Sequence, residues 1–148
     1  MGILVKRNGE YFGEILTSCL PLGLDFSRAF AVVVSGMTVN PCGHLLLNAG
    51  GRGGTYCHVV EPRGYPRYMD EVGFMRYLTT MRKRELRRAF LPVAFPDRAL
   101  AKMEDLLSRP WSWWVLPHNC VTFVEEVLRA GGSTAGLYTN CPRLESFR

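Results

Sequence analysis

Histidine is the scarcest chemical resource of this chain: His44, His58 and His118 are the only three. Any acid–base chemistry near neutral pH that needs an imidazole must draw on them. Cysteine is present but without the pattern of a scaffold. Five residues is an odd number, and their spacing is irregular, which excludes a disulfide framework and predicts free thiols in a reducing compartment. No apolar run approaches the ~18–20 residues of a membrane span. The opening Met1–Gly9 places Lys6 and Arg7 after its apolar residues and has no long hydrophobic stretch, so it does not read as a signal peptide. The expectation is a cytoplasmic product as synthesised, with any export left to a dedicated secretion system. Internal repeats and low-complexity tracts are also missing.

What is present is globular. The chain has 148 residues, 47% hydrophobic and 21% charged, enough for one domain that buries roughly two-thirds of the surface its unfolded form exposes. The net charge of +5 is modest but concentrated. Arg76, Arg82, Lys83, Arg84, Arg87 and Arg88 stand against Glu85 alone in that stretch. A solvated helix face is the plain explanation, and an anionic membrane surface, nucleic acid or an acidic protein partner are the functional ones.

Organisation follows from periodicity. Ile3–Lys6 and Tyr11–Leu16 flank Asn8-Gly9, a hairpin signal. Phe30–Ser35, His44–Asn48 and Thr55–Val60 are β-branched or apolar runs separated by Asn40-Pro41-Cys42-Gly43 and by Gly50–Gly54, so they predict a three-stranded antiparallel meander. Asp70 to about Phe90 reads as helical, in one or two pieces, with Val72, Met75, Leu78 and Met81 on its apolar stripe. Asp97–Ser108 predicts a capped helix burying Leu100, Met103, Leu106 and Leu107. Strands first and helices after give an α+β domain with an antiparallel sheet. Its parts are an N-terminal hairpin and linker (1–28), a His-bearing meander (29–61), a helical part (68–132) and a tail (133–148).

The last helix carries the chemistry. Asn119 is a good N-cap, Val121, Val124 and Leu128 with Phe123 and Val127 make a buried face, and Gly131-Gly132 supply the stop. Cys120 then sits in the first turn, where the helix dipole favours thiolate and lowers a thiol pKa. The bland alternative is a small apolar residue packed in a core. A nucleophilic thiol needs an imidazole and a third polar group to orient it. His44 and His58 lie on successive meander strands, where side chains on one face can approach within ~5 Å. Either could instead be a satisfied core histidine. Cys42, His44, Cys57, His58, His118 and Cys120 could in principle ligate a metal, but their spacings match no usual zinc pattern. No metal or other cofactor is expected. Trp111, Trp113 and Trp114 are core residues or walls of a substrate cleft.

Three segments in order, Gly43–Gly51, Tyr56-Cys57-His58-Val59 and Asn119–Val124, resemble the circularly permuted NlpC/P60 papain-like superfamily, above all its lecithin-retinol-acyltransferase-like (H-NC) branch. The likeness spans about residues 31–132. It implies a permuted papain-like fold in which the meander packs against helices, with the nucleophile at a helix N-terminus. It further implies Cys120 as nucleophile, His44 as general base and acid, and His58 as the orienting group. Asn119 and His118 would then be oxyanion or orienting candidates, with Trp113 and Trp114 beside the cleft. Leu45 stands where lipid-acting members carry an aromatic, and Val121-Thr122 replace their Glu-His pair after the thiol.

The expected function is therefore a thiol hydrolase working through a thioester acyl-enzyme, cleaving an amide as a peptidase or peptidoglycan amidase, including effector-type enzymes. A lipid-acting thiol acyltransferase or phospholipase is the first alternative, with Arg82, Lys83, Arg84, Arg87 and Arg88 as anionic-surface residues. A non-catalytic module using the same basic stripe is the second. Partners on these readings are a peptide, peptidoglycan or lipid acyl substrate, an anionic membrane surface or an inhibitory protein; nucleic acid is not expected.

Overall fold

The computed structural model describes residues 9–17, 24–36, 42–60, 63–112, 119–136 and 141–143. Its centre is a five-stranded antiparallel sheet built from β1 (Ala29–Val34), β2 (His44–Ala49), β3 (Thr55–His58), β5 (Arg67–Met69) and β6 (Glu85–Leu91), in the order β5-β3-β2-β1-β6. A second, two-stranded sheet pairs β4 (Arg63–Gly64) with β7 (Trp111–Ser112). Three helices complete the described chain: α1 (Glu71–Thr80), α2 (Pro96–Leu107) and α3 (Asn119–Ala130). The architecture is α+β.

The expected meander is present, with β1 and β2 paired from Ala29↔Ala49 to Val34↔His44. Its strands are nearly continuous apolar runs because both faces of the sheet are covered. Ala31, Val33, Leu45, Leu47, Cys57 and Val59 pack with residues of α2 and α3. The alternate residues Val32, Val34, Leu46 and Tyr56 pack instead with Phe74 and Tyr77 of α1 and with Tyr11 and Phe12. Period-two alternation thus divides two cores, one on each side of a single sheet.

Helix α3 matches expectation: Val121, Phe123, Val124, Val127 and Leu128 are buried, and Gly132 adopts φ 87°, which ends the helix. The helix begins at Asn119 itself rather than being capped by it. Helix α2 starts at Pro96, with Phe95 at the cap position making no side-chain hydrogen bond.

Three expectations are corrected. Residues 70–90 are not helical throughout. Helix α1 stops in a Schellman-type turn, where Arg82 N–H donates to Thr79 O and Lys83 N–H to Leu78 O. Arg82 occupies the left-handed position at φ 54°. Glu85–Leu91 is then recruited as a strand along the free edge of β1, because the backbone groups of a buried apolar strand need partners that helix propensity cannot supply. The buried face of α1 is Gly73, Phe74 and Tyr77; of the predicted stripe, Leu78 and Met81 pack partly buried against that core while Val72 and Met75 are exposed, because the two large aromatics set which way the helix faces. The N-terminal segment is likewise no regular hairpin strand. Its described part pairs with the sheet only through a bridge between Glu14 and Tyr68, and the Ile3–Lys6 arm lies outside the described residues.

The free-thiol expectation holds for Cys57 and Cys120 and fails for one pair. Cys42 and Cys141 form a disulfide with Cα atoms 4.6 Å apart, and Arg143 N–H donates to Cys42 O nearby. Irregular spacing concealed the pair because its members are far apart in sequence. Cys57 and Cys120 are free; Cys19 lies outside the described residues. Among the described residues, no helix is long and apolar enough to cross a membrane.

Candidate active site

The site lies where β2 and β3 part. Their pairing runs through Ala49↔Thr55, Asn48↔Tyr56 and Leu47↔Cys57 and ends there. His44, Leu45 and Leu46 therefore continue along β1 alone. The N–H of Leu45 reaches the Cys120 sulfur and, with those of Cys120 and Val121, favours its thiolate form. The first turn of α3 is thereby seated in the gap, with Cys120 only partly buried.

Gly43 makes the preceding turn possible. At φ 78°, a Cβ there would stand 2.7 Å from Val34 O, so only glycine brings the chain into β2 at this point. His44 is the first residue of β2, and the Cys42–Cys141 bond fixes the backbone two residues before it.

His44 and His58 share the α1 side of the sheet. Their rings are 5.1 Å apart edge to face, with His44 Nε2 2.8 Å from His58 Nδ1. His58 is fully buried, and its Nε2 lies 2.9 Å from Phe12 O. A carbonyl only accepts, so His58 Nε2 carries a proton. In a neutral ring its Nδ1 is then the acceptor, and His44 Nε2 must donate to it. The consequence is that His44 Nδ1 holds a lone pair. A single backbone carbonyl sets both tautomers and leaves a base on His44.

Both rings are neutral at pH 7. Burial drives His58 down to about 4, against a gain from the Phe12 bond and further losses from the Arg67 and Lys83 charges. Burial likewise holds His44 well below 6.5, helped by His58 and Lys83. The Cys120 thiol is raised by burial, which outweighs the three N–H groups that favour thiolate. This corrects the expected dipole-lowered thiol. At rest the thiol at the start of α3 and the imidazole at the start of β2 are both neutral, because desolvation costs more than the helix terminus returns.

Tyr77 escaped the sequence reading. Its buried ring lies 5.0 Å from that of His58, edge to face, and burial holds its hydroxyl in the protonated form, an effect that a thiolate at Cys120 would strengthen. It connects the imidazole side of the site to the sulfur side. The Phe74/Tyr77 spacing on a helix facing the histidine strands was the available signal.

Of the other candidates, His118, Trp113 and Trp114 lie outside the described residues, and Asn119 enters only as the first residue of α3. Trp111 packs edge to face on Phe123 of α3 at 5.5 Å. The basic stripe is not a helix face, and structural work absorbs much of it. Arg76 covers the Tyr11 ring, Arg87 donates to Pro142 O, and Arg88 pairs with Glu85 and donates to Tyr56 OH. Arg82 and Arg84 are exposed. Lys83 Nζ donates to Ser35 O at 3.0 Å. As for a metal, Cys42 is taken by its disulfide, and no group of three potential ligands comes together among the described residues.

No family model, curated protein or solved structure matches this chain.

Proposed function

We propose that this chain is a thiol hydrolase with a permuted papain-like fold of the NlpC/P60 type, cleaving an amide through a thioester on Cys120. The observation that carries the proposal is the relay Phe12 O–His58–His44. It leaves a basic nitrogen on the strand whose next N–H reaches the Cys120 sulfur. A histidine buried only for packing has no need of a second histidine set in one tautomer.

The chemistry follows from a neutral pair. As the sulfur of Cys120 attacks the carbonyl carbon, its proton passes to His44 Nδ1. The imidazolium so formed is steadied by its Nε2–H bond to His58. The N–H of Cys120 at the open end of α3 is the donor available to the oxyanion, a type of contact worth ~3–4 kcal/mol. When the C–N bond breaks, His44 returns the proton to the leaving amine. Water, deprotonated by the same nitrogen, then releases the acid and the thiol.

Of the basic residues on which the lipid-acting and binding-module readings drew, Arg87 and Arg88 are taken up by internal contacts, while Arg82 and Arg84 are exposed. The test is intact-mass detection of an acyl adduct after exposure to peptidoglycan fragments, peptides or phospholipid vesicles. An adduct on wild type that is lost in Cys120→Ala is expected from the amide substrates. Turnover by Cys120→Ala equal to wild type in every assay would end the proposal.

A further inference from the structure

One cation stands at this site without a counter-ion. Lys83 is half-buried, its Nζ donates to the Ser35 carbonyl, and no carboxylate among the described residues pairs with it. An ammonium has three protons to donate, and leaving a partly desolvated charge opposite one neutral carbonyl is costly unless something else completes it.

Its position is set by backbone, not by chance. The Schellman-type turn at Arg82 reverses the chain after α1, and Arg84 N–H donates to Ser35 Oγ at 3.0 Å while Ser35 N–H donates to Arg84 O. Ser35 follows Val34, which is the cross-strand partner of His44. The same segment therefore holds the ammonium beside the strand end that carries the base, and its charge reaches both imidazoles.

We infer that Lys83 is the anion subsite of this active site and recognises a carboxylate on the leaving group of the substrate, so that the enzyme cleaves amides whose amine half is an amino acid with a free carboxylate. The inference rests on the thiol-hydrolase reading. His44 hands its proton to the departing amine, so a cation on the His44 side lies on the leaving-group side of the scissile bond. An α-carboxylate is close to that nitrogen; a phospholipid phosphate is set further from its ester oxygen by the glycerol. The substrate carboxylate would also offset the Lys83 charge that disfavours imidazolium at His44 and His58. The other groups acting on that balance are His58 on His44, and Arg67 and the Phe12 carbonyl on His58.

The experiment compares matched N-acyl dipeptides ending in a free carboxylate or a carboxamide, with wild type, Lys83→Met and Lys83→Arg. Wild type is expected to favour the carboxylate roughly tenfold or more in kcat/KM. Lys83→Met should collapse that ratio toward one, and Lys83→Arg should keep most of it, which separates charge recognition from a folding defect. Calorimetric binding of both dipeptides to Cys120→Ala, and to Cys120→Ala carrying Lys83→Met, reads the subsite without turnover. Equal binding of carboxylate and carboxamide by Cys120→Ala overturns the inference. So does Lys83-dependent binding to anionic phospholipid vesicles that exceeds binding of the dipeptide. Lys83-dependent carboxylate binding with no Cys120-dependent cleavage keeps the subsite and discards the thiol-hydrolase reading.

Discussion

His44 Nε2 lies 2.8 Å from His58 Nδ1, and His58 Nε2 lies 2.9 Å from the carbonyl of Phe12. Protons on both Nε2 atoms are the only neutral arrangement that satisfies the two contacts. The two histidines are therefore unequal: His44 keeps the reactive lone pair, and His58 holds it in place.

That inequality predicts unequal costs. His44→Ala should lower kcat by about a thousandfold or more, in line with loss of a general base in a group that acts as a unit. His58→Ala should cost less, roughly ten- to a hundredfold, as for removal of an orienting partner. Steady-state rates on any amide substrate that wild type turns over would check both. Wild-type rates in His44→Ala would rule out its role.

A raised thiol and two lowered imidazoles predict how Cys120 meets alkylating agents. Iodoacetamide labelling of Cys120 should be slow at pH 6 and climb steadily through pH 9, the ordinary thiol value. Cys57, fully buried with its thiol pushed up to about 12, should remain unlabelled in the native protein. Fast labelling of Cys120 that is flat between pH 5 and 7 would instead indicate a preformed thiolate–imidazolium pair.

The histidines also set an acid limit on stability. His58 is near 4 in the folded protein against 6.5 as a model value, so the folded state binds fewer protons than the unfolded state between those limits. Stability from this group is complete above pH 6.5 and is lost as pH falls towards about 4, at on the order of 1.4 kcal/mol per pH unit. His44, lowered in the same direction, adds to the slope. Urea midpoints measured from pH 7 to pH 4 should fall in wild type and flatten in His58→Phe.

Reduction should be felt at the site. The Cys42–Cys141 bond closes a sequence separation of 99 residues, and loss of such a crosslink costs about 2–5 kcal/mol. Cys141→Ser, or wild type in reductant, should melt at lower temperature and lose activity before it loses helix content, because Cys42 anchors the turn into His44. Unchanged melting with and without reductant would contradict this.

Arg82 offers a test of the turn that presents Lys83. A non-glycine residue at φ 54° is strained, and Arg82→Gly should stabilise the protein by a few tenths to about 1 kcal/mol. Denaturation midpoints read this directly, and a loss of stability would mean that the Arg82 side chain has an unrecognised partner.

Local pattern determined much of this protein by itself. The β-branched runs gave the meander, the apolar face and closing glycines gave α3, and the placement of His44 and His58 on adjoining strands followed from period two. Each of those properties is carried by residues close together in the chain. Tertiary structure decided the rest, for reasons no local window contains. Glu85–Leu91 became a strand because β1 had an open edge, and Cys42 meets Cys141 across a sequence separation of 99. The Cys120 thiol was raised rather than lowered because burial outweighs a helix terminus. Which imidazole nitrogen is the base depends on the carbonyl of Phe12, a backbone atom that side-chain identity cannot reveal.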